Sequence, residues 1–364
     1  MNPITEADIH SIFTHLNQEQ RNRFANSTIL ITGCGGFLGY YFLYFFTYKA
    51  QELGIKKIIG LDNFMLRTPN WIKKLEFANS NILEIIKFDI ITDNIENVKE
   101  AHNADFVIHA ASIASPTFYR LYPLETIDAN IWGLRSLLDF YKEKTLKGFL
   151  FFSSSEIYGD PYPEFIPTDE EYRGNVSCIG PRACYDESKR FGETLCLIYA
   201  NKFNLPITIA RPFNNYGPGM NIEDKRVPAD FAKAIVENRD IEILSDGKPM
   251  RTFCYVTDAI AGYIQCLVYG KFDYFNIGTD KPEISIKELA EIYAEHSQTI
   301  FGFTPKILFK ISEDKDYLRD NPNRRCPNIA KAKTFLQYNP RISAKDGVKR
   351  FLEFLKYEKD RGKL

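Results

Sequence analysis

One short segment constrains this chain more than any other. Thr32-Gly33-Cys34-Gly35-Gly36-Phe37-Leu38-Gly39 follows directly on the apolar, β-branched run Thr28-Ile29-Leu30-Ile31 and leads into an apolar helical stretch. Its glycines at Gly33, Gly36 and Gly39 read G-x-x-G-x-x-G. In a strand–turn–helix unit the first glycine allows a tight turn and the second lets backbone approach a pyrophosphate. The third lets the helix pack close to the strand. The helix N-terminus then offers amide donors and a positive dipole end to phosphate. Glycines alone say little, but the next apolar run, Lys57-Ile58-Ile59-Gly60-Leu61, ends in Asp62. That context makes the pattern specific. A carboxylate at Asp62 can accept both ribose hydroxyls of NAD and repels a 2′-phosphate, so NAD is expected rather than NADP. Phe37, Leu38, Asn63, Ala110 and Ala111 are further candidate cofactor contacts, as is Asp89-Ile90 after the third strand, beside the adenine.

Further strands are expected at Leu83–Phe88, Phe106–Ala110, Gly148–Ser153 and Ile207–Arg211, with helices between them, among them 122–142 and 183–202. Apolar strands alternating with amphipathic helices imply an α/β, Rossmann-type doubly wound parallel sheet, covered on both faces. Residues 27–212 form that NAD-binding domain, with later crossover strands around 252–277. Residues 213–364, irregular and rich in loops, read mainly as a smaller C-terminal α/β substrate lobe. Residues 1–26 read as a polar helical arm that docks one face, Ile9, Ile12, Phe13 and Leu16, on the body.

With Lys+Arg 46 against Asp+Glu 47, no basic surplus argues for nucleic acid. The seven cysteines are odd in number and form no C-x-x-C pair, which implies reduced thiols in the cytoplasm and neither a disulfide framework nor a metal site. The longest apolar run, Phe37 to Tyr48, is shorter than the roughly 20 residues of a membrane span. No membrane association is expected.

The chemistry is carried by Tyr185-Asp186-Glu187-Ser188-Lys189. Tyr and Lys four apart share one helix face. A neighbouring ammonium and a cationic nicotinamide favour phenolate, so Tyr185 is expected to have a lowered pKa and to deprotonate a sugar hydroxyl. Upstream, a strand ends in Ser153-Ser154-Ser155-Glu156, where a hydroxyl completes a Ser–Tyr–Lys relay.

Together these segments resemble the extended short-chain dehydrogenases/reductases that act on nucleotide sugars, the NAD-dependent epimerases and dehydratases. The resemblance spans essentially residues 27–355. Within that family it runs nearest to the UDP-glucuronate decarboxylases, through Ser155-Glu156-Ile157-Tyr158-Gly159-Asp160-Pro161, through Ile179 to Arg190, and through Asp246-Gly247-Lys248 to Val256. It departs from them at Ser188, where a glycine is usual. The resemblance implies that Ser154 or Ser155 bonds the sugar C4 oxygen and that Glu156 lies near C5. It makes Tyr185 the base and Lys189 its partner. Asn214 and Arg251 would meet the nucleotide diphosphate, Arg325 would reach the substrate, and Ser115 would contact it. Arginine suits such contacts because its planar fork matches phosphate and carboxylate oxygens. The family also implies a homodimer built from the 122–142 and 183–202 helices.

Oxidation at C4 is the shared first step, and three outcomes follow it. A C6 carboxylate allows decarboxylation, re-reduction from the other face gives 4-epimerisation, and loss of the C6 hydroxyl gives dehydration. The dehydratases resemble one another in an Asp-Glu pair at this strand end. Here the first position is Ser155, a poor proton donor to a departing hydroxide. Decarboxylation is therefore the leading reading, with the epimerase and the dehydratase behind it. A reductase with dissociable cofactor and a binding protein that has lost activity are the other classes. Asp62 and the diphosphate contacts oppose the first, and the intact Ser–Tyr–Lys set opposes the second.

Overall fold

The computed structural model describes residues 1–313 and 319–363. Seven strands form the central sheet: β1 Ser27–Thr32, β2 Ile55–Asp62, β3 Leu83–Lys87, β4 Phe106–His109, β5 Gly148–Phe152, β6 Ile207–Pro212 and β7 Asp273–Ile277. Their order is β7-β6-β5-β4-β1-β2-β3, and every neighbouring pair is parallel. A sheet covered on both faces needs strands apolar on both faces. Every residue of β1, β4 and β5 is accordingly buried. Along β1, Ile29 and Ile31 join one apolar cluster and Leu30 the other, the two-residue alternation of a strand.

The chain runs from β1 outward to β2 and β3, then crosses to β4 on the opposite side of β1. Side by side, the C-terminal ends of β1 and β4 (Thr32 beside His109) open a crevice at this reversal point, where such sheets hold their ligands. After β6 the chain builds a second lobe of short strands and helices, including Val227–Val236, Ile286–Phe301 and Ala344–Asp360. It re-enters the body through the almost wholly buried helix Val256–Tyr269, which delivers β7 to the sheet edge.

Two features differ from the expected elements. The segment foreseen as one helix over 122–142 is broken. Helices Pro116–Leu121 and Pro123–Asp128 are followed by a π-type turn, Ala129–Gly133, and then by Leu134–Tyr141. A wide turn of this kind re-aims the residues it carries. Here it lets Asn130 donate to the Ser188 hydroxyl at 2.9 Å, and it brings Gly133 so close to Ile90 that a Cβ there would sit 2.9 Å from that side chain. The N-terminal helix Pro3–His15 buries Ile9 and Ile12, and Leu16 beyond it is buried too. It also buries Asp8, which no apolar periodicity signals. The Asp8 carboxylate accepts from the Tyr41 hydroxyl at 2.6 Å, the Tyr255 hydroxyl at 2.7 Å and Arg350 at 3.2 Å.

Candidate active site

The glycine loop makes its turn by geometry that only glycine tolerates. Gly33 has φ +71°, and a Cβ on it would lie 2.7 Å from the backbone of Ala110 and Ala111 at the end of β4. Its amide donates to the Leu61 carbonyl at 2.8 Å. A Cβ on Gly39 would strike the Cys34 carbonyl, so the helix Phe37–Tyr48 could not lie this close to β1. Gly36 differs: its Cβ would meet only the Gly33 carbonyl at 3.3 Å and otherwise open space. The loop is closed where it touches protein and open where a phosphate has to approach.

Asp62 caps this groove. Its carboxylate accepts from the Gly35 amide at 2.9 Å and the Phe64 amide at 2.7 Å. Burial pushes its pKa up, and the two amides oppose that. Each oxygen keeps a further lone pair for a ribose hydroxyl. Next to it, Asn63 donates to Asp89 at 3.1 Å and the Ile91 amide donates to the other Asp89 oxygen at 2.9 Å, tying together the loops after β2 and β3. An open glycine turn at a helix N-terminus followed by a carboxylate at the ribose position fits a dinucleotide without a 2′-phosphate.

Tyr185 and Lys189 lie on the first turns of helix Ala183–Phe203, both buried. The Lys189 ammonium donates to the Phe152 carbonyl at the end of β5 at 2.8 Å and sits 5.6 Å from the centre of the Tyr185 ring. Tyr119 stacks on Tyr185 with ring centres 5.1 Å apart. The expected lowering of Tyr185 is not found. Burial pushes the phenol up to about 12, although the adjacent Ser154 hydroxyl pulls it down. Burial likewise pushes Lys189 down to about 7. Removal from water outweighs the neighbouring groups at both positions.

Glu156 carries the most concentrated charge in the site. Arg325 grips it with both prongs, the Nη2–Oε2 distance being 2.7 Å, and Arg182 pairs with the same carboxylate. Burial pushes Glu156 up, but the two arginines outweigh it and hold the carboxyl well below the usual range. Behind Arg182, Asp186 lies 3.6 Å from its Nε, and one Asp186 oxygen has no hydrogen-bond partner. Burial first, and then Glu156, push Asp186 up to about 8. Arg251 is also buried; it donates to the Met250 carbonyl at 2.8 Å and to the Pro322 carbonyl.

Every residue singled out from the sequence, whether for cofactor, catalysis or substrate, lines one cleft of about 600 Å³ between the two lobes. Ser115 and Asn214 line it with partners already engaged. The Ser115 hydroxyl donates to the Asp224 carbonyl at 2.7 Å and the Asn214 amide donates to the Thr252 carbonyl at 2.9 Å. Among the cleft residues that the sequence reading missed are Arg182, Tyr119 and Arg226. Arg182 sits three residues before Tyr185, so helical spacing could have found it. Tyr119 and Arg226, which pairs with Asp224, have no local signal.

Comparison with known proteins agrees with this geometry. The NAD dependent epimerase/dehydratase family matches residues 29–278. The UDP-glucuronic acid decarboxylase 3 of Arabidopsis thaliana is 34% identical over 89% of this chain and 87% of its own length. The UDP-glucuronic acid decarboxylase 1 of Xenopus tropicalis is 31% identical over 94% of this chain and 74% of its own. Among solved structures, a UDP-glucose 4-epimerase of Thermotoga maritima shares the fold with TM-score 0.77 at 24% identity, covering 91% of this chain and 99% of that one. A UDP-glucuronic acid 4-epimerase of Bacillus cereus, solved with UDP-glucuronic acid and NAD, gives TM-score 0.73 at 25% identity over the same shares.

Proposed function

Because the chain belongs to the NAD dependent epimerase/dehydratase family, we propose that it decarboxylates UDP-glucuronate, giving UDP-xylose or its 4-keto intermediate. Relatives at 31–34% identity that it matches over most of their length are named UDP-glucuronic acid decarboxylases. The observation that carries the reading within this site is the state of Glu156. Dehydration across C5 and C6 needs a base at C5 and an acid at the departing hydroxyl. Two arginines hold Glu156 ionised far below neutral pH, which makes it a weak base. Ser155 stands where the acid would be needed and is a poor donor. Loss of carbon dioxide from a 4-keto uronate requires neither group, because the C5–C6 bond supplies the electrons and the ketone accepts them.

The cofactor is NAD, held by Gly33, Gly36, Gly39 and Asp62, with Phe37, Leu38, Asn63, Asp89, Ile90, Ala110 and Ala111 around it. Bound there, the nicotinamide would supply a hydride acceptor for C4. Tyr185, ionised to phenolate with the Lys189 ammonium beside it, receives the C4 hydroxyl proton, with Ser154 or Ser155 holding the C4 oxygen. Arg251 and Asn214 hold the diphosphate, and Ser115 borders the sugar. Arg325 fixes Glu156 beside the ring. Incubation with UDP-glucuronate, with and without added NAD⁺, followed by mass spectrometry, tests the reading. Loss of the mass of carbon dioxide is expected. An isomer of unchanged mass would replace decarboxylase by 4-epimerase.

The assembly we propose is a homodimer. Leu124 (70% exposed), Trp132 (61%) and Phe191 (48%) leave an apolar surface uncovered on the helices of 116–141 and 183–203. All seven cysteines are free, which suits the reducing cytoplasm. No helix among the described residues is long and apolar enough to cross a membrane.

A further inference from the structure

We propose that Arg182 is a specificity-determining residue, which together with Arg325 selects substrates bearing an anionic group on the sugar ring. The inference rests on the decarboxylase reading for the identity of that group, the C6 carboxylate.

Arg182, Arg251 and Arg325 are each less than a tenth exposed, and all three line the cleft. Among the described residues, the ionised carboxylate that Arg182 and Arg325 both pair with is Glu156. Asp186, the other acid touching the group, is pushed toward its neutral form by burial and by Glu156. The protein thus faces its own substrate with a surplus of buried guanidinium. Buried charge is costly unless a counter-charge reaches it. A diphosphate on Arg251 uses part of the surplus. The rest lies on Arg182 and Arg325, which share the single carboxylate of Glu156.

Hydrogen bonding leads to the same place. The buried Nε of Arg325 has no hydrogen-bond partner among the described residues, and that of Arg182 has only the Asp186 carboxylate, beyond hydrogen-bond reach. Arg182 is held from behind by Asp186 at 3.6 Å and lies over the Tyr119 ring at 6.0 Å. Tyr119 in turn stacks on Tyr185, so the guanidinium is fixed relative to the catalytic phenol. A second carboxylate entering beside Glu156 would balance the extra charge. A neutral hydroxymethyl group at C6 would leave it uncompensated. Selectivity of this kind comes from what the wrong ligand fails to satisfy.

The experiment is a calorimetric titration of the NAD-loaded protein with UDP-glucuronate and with UDP-glucose, which is neutral at C6, for the wild type, Arg182→Gln and Arg182→Lys. Wild type is expected to prefer UDP-glucuronate. Arg182→Gln is expected to lose roughly 10- to 100-fold in affinity for UDP-glucuronate, the scale of a charge-assisted hydrogen bond, and less than about 2-fold for UDP-glucose. Arg182→Lys keeps the charge without the fork and is expected to fall between the two. It also serves as the test protein if the glutamine variant does not fold. Equal losses on both ligands, or no loss on either, would overturn the role of Arg182 while leaving the decarboxylase reading intact. A wild-type protein with no preference for UDP-glucuronate would overturn both.

Discussion

At the scale of single residues, the site is governed by desolvation. Tyr185 is ionised with difficulty and Lys189 is protonated with difficulty, both because they are buried. The phenol nonetheless hydrogen-bonds with Ser154, which places it to take the C4 proton in the proposed reaction once ionised. Tyr185→Phe should therefore retain UDP-glucuronate binding by calorimetry while turnover falls at least ~10²-fold, the scale of acid–base loss. Turnover near the wild-type value would remove Tyr185 from the mechanism. Lys189 gives a pH prediction. Its folded pKa of about 7 lies below the unfolded value for lysine, so the unfolded chain binds more protons between the two. The cost of burying its ammonium is full below pH 7 and is relieved as pH rises above it. In the cofactor-free protein, Lys189→Met should thus gain more stability at pH 6 than at pH 9. The gap should be on the order of 2 kcal/mol by urea denaturation. An equal effect at both pH values would mean that the ammonium is not desolvated.

At the scale of elements, the glycine loop divides into positions that serve packing and a position that serves the ligand. Gly36→Ala places a methyl 3.3 Å from the Gly33 carbonyl and otherwise in open space, so stability should fall by no more than about 1 kcal/mol while NAD retained through gel filtration falls sharply. Gly39→Ala drives a methyl into the Cys34 carbonyl, so it should lose both cofactor and about 3 kcal/mol of stability. If the two variants behaved alike, the distinction between packing and phosphate approach would be wrong. The loop was legible in sequence because its chemistry is local: three glycines, a strand before, a helix after. The break in the 122–142 segment was not. Proline at Pro123 marks a helix start, but the wide turn at Ala129–Gly133 answers to Ile90 and Ser188, which lie on other elements.

At the scale of the whole molecule, the uncovered apolar residues of the 116–141 and 183–203 helices give the assembly prediction. Wild type should run as a dimer by light scattering at micromolar concentration, and Phe191→Asp should shift it toward monomer, since a charge in an apolar contact is costly to bury. A monomeric wild type would leave that surface to another role. Six strands of the sheet, the dinucleotide loop and the Tyr–Lys pair could be read from the chain alone, because strand burial, turn chemistry and helical spacing are written in residues close together. What only the tertiary structure decided was the electrostatic character of the site. Arg182, Glu156 and Arg325 come from three distant parts of the chain and meet in one buried cluster. The direction in which Tyr185 and Lys189 shift depends on how much water the surrounding lobes exclude. Asp8 is buried only because Tyr41, Tyr255 and Arg350 converge on it. Periodicity reports which face of an element is apolar; charge and solvation depend on which distant groups the fold brings within a few ångströms.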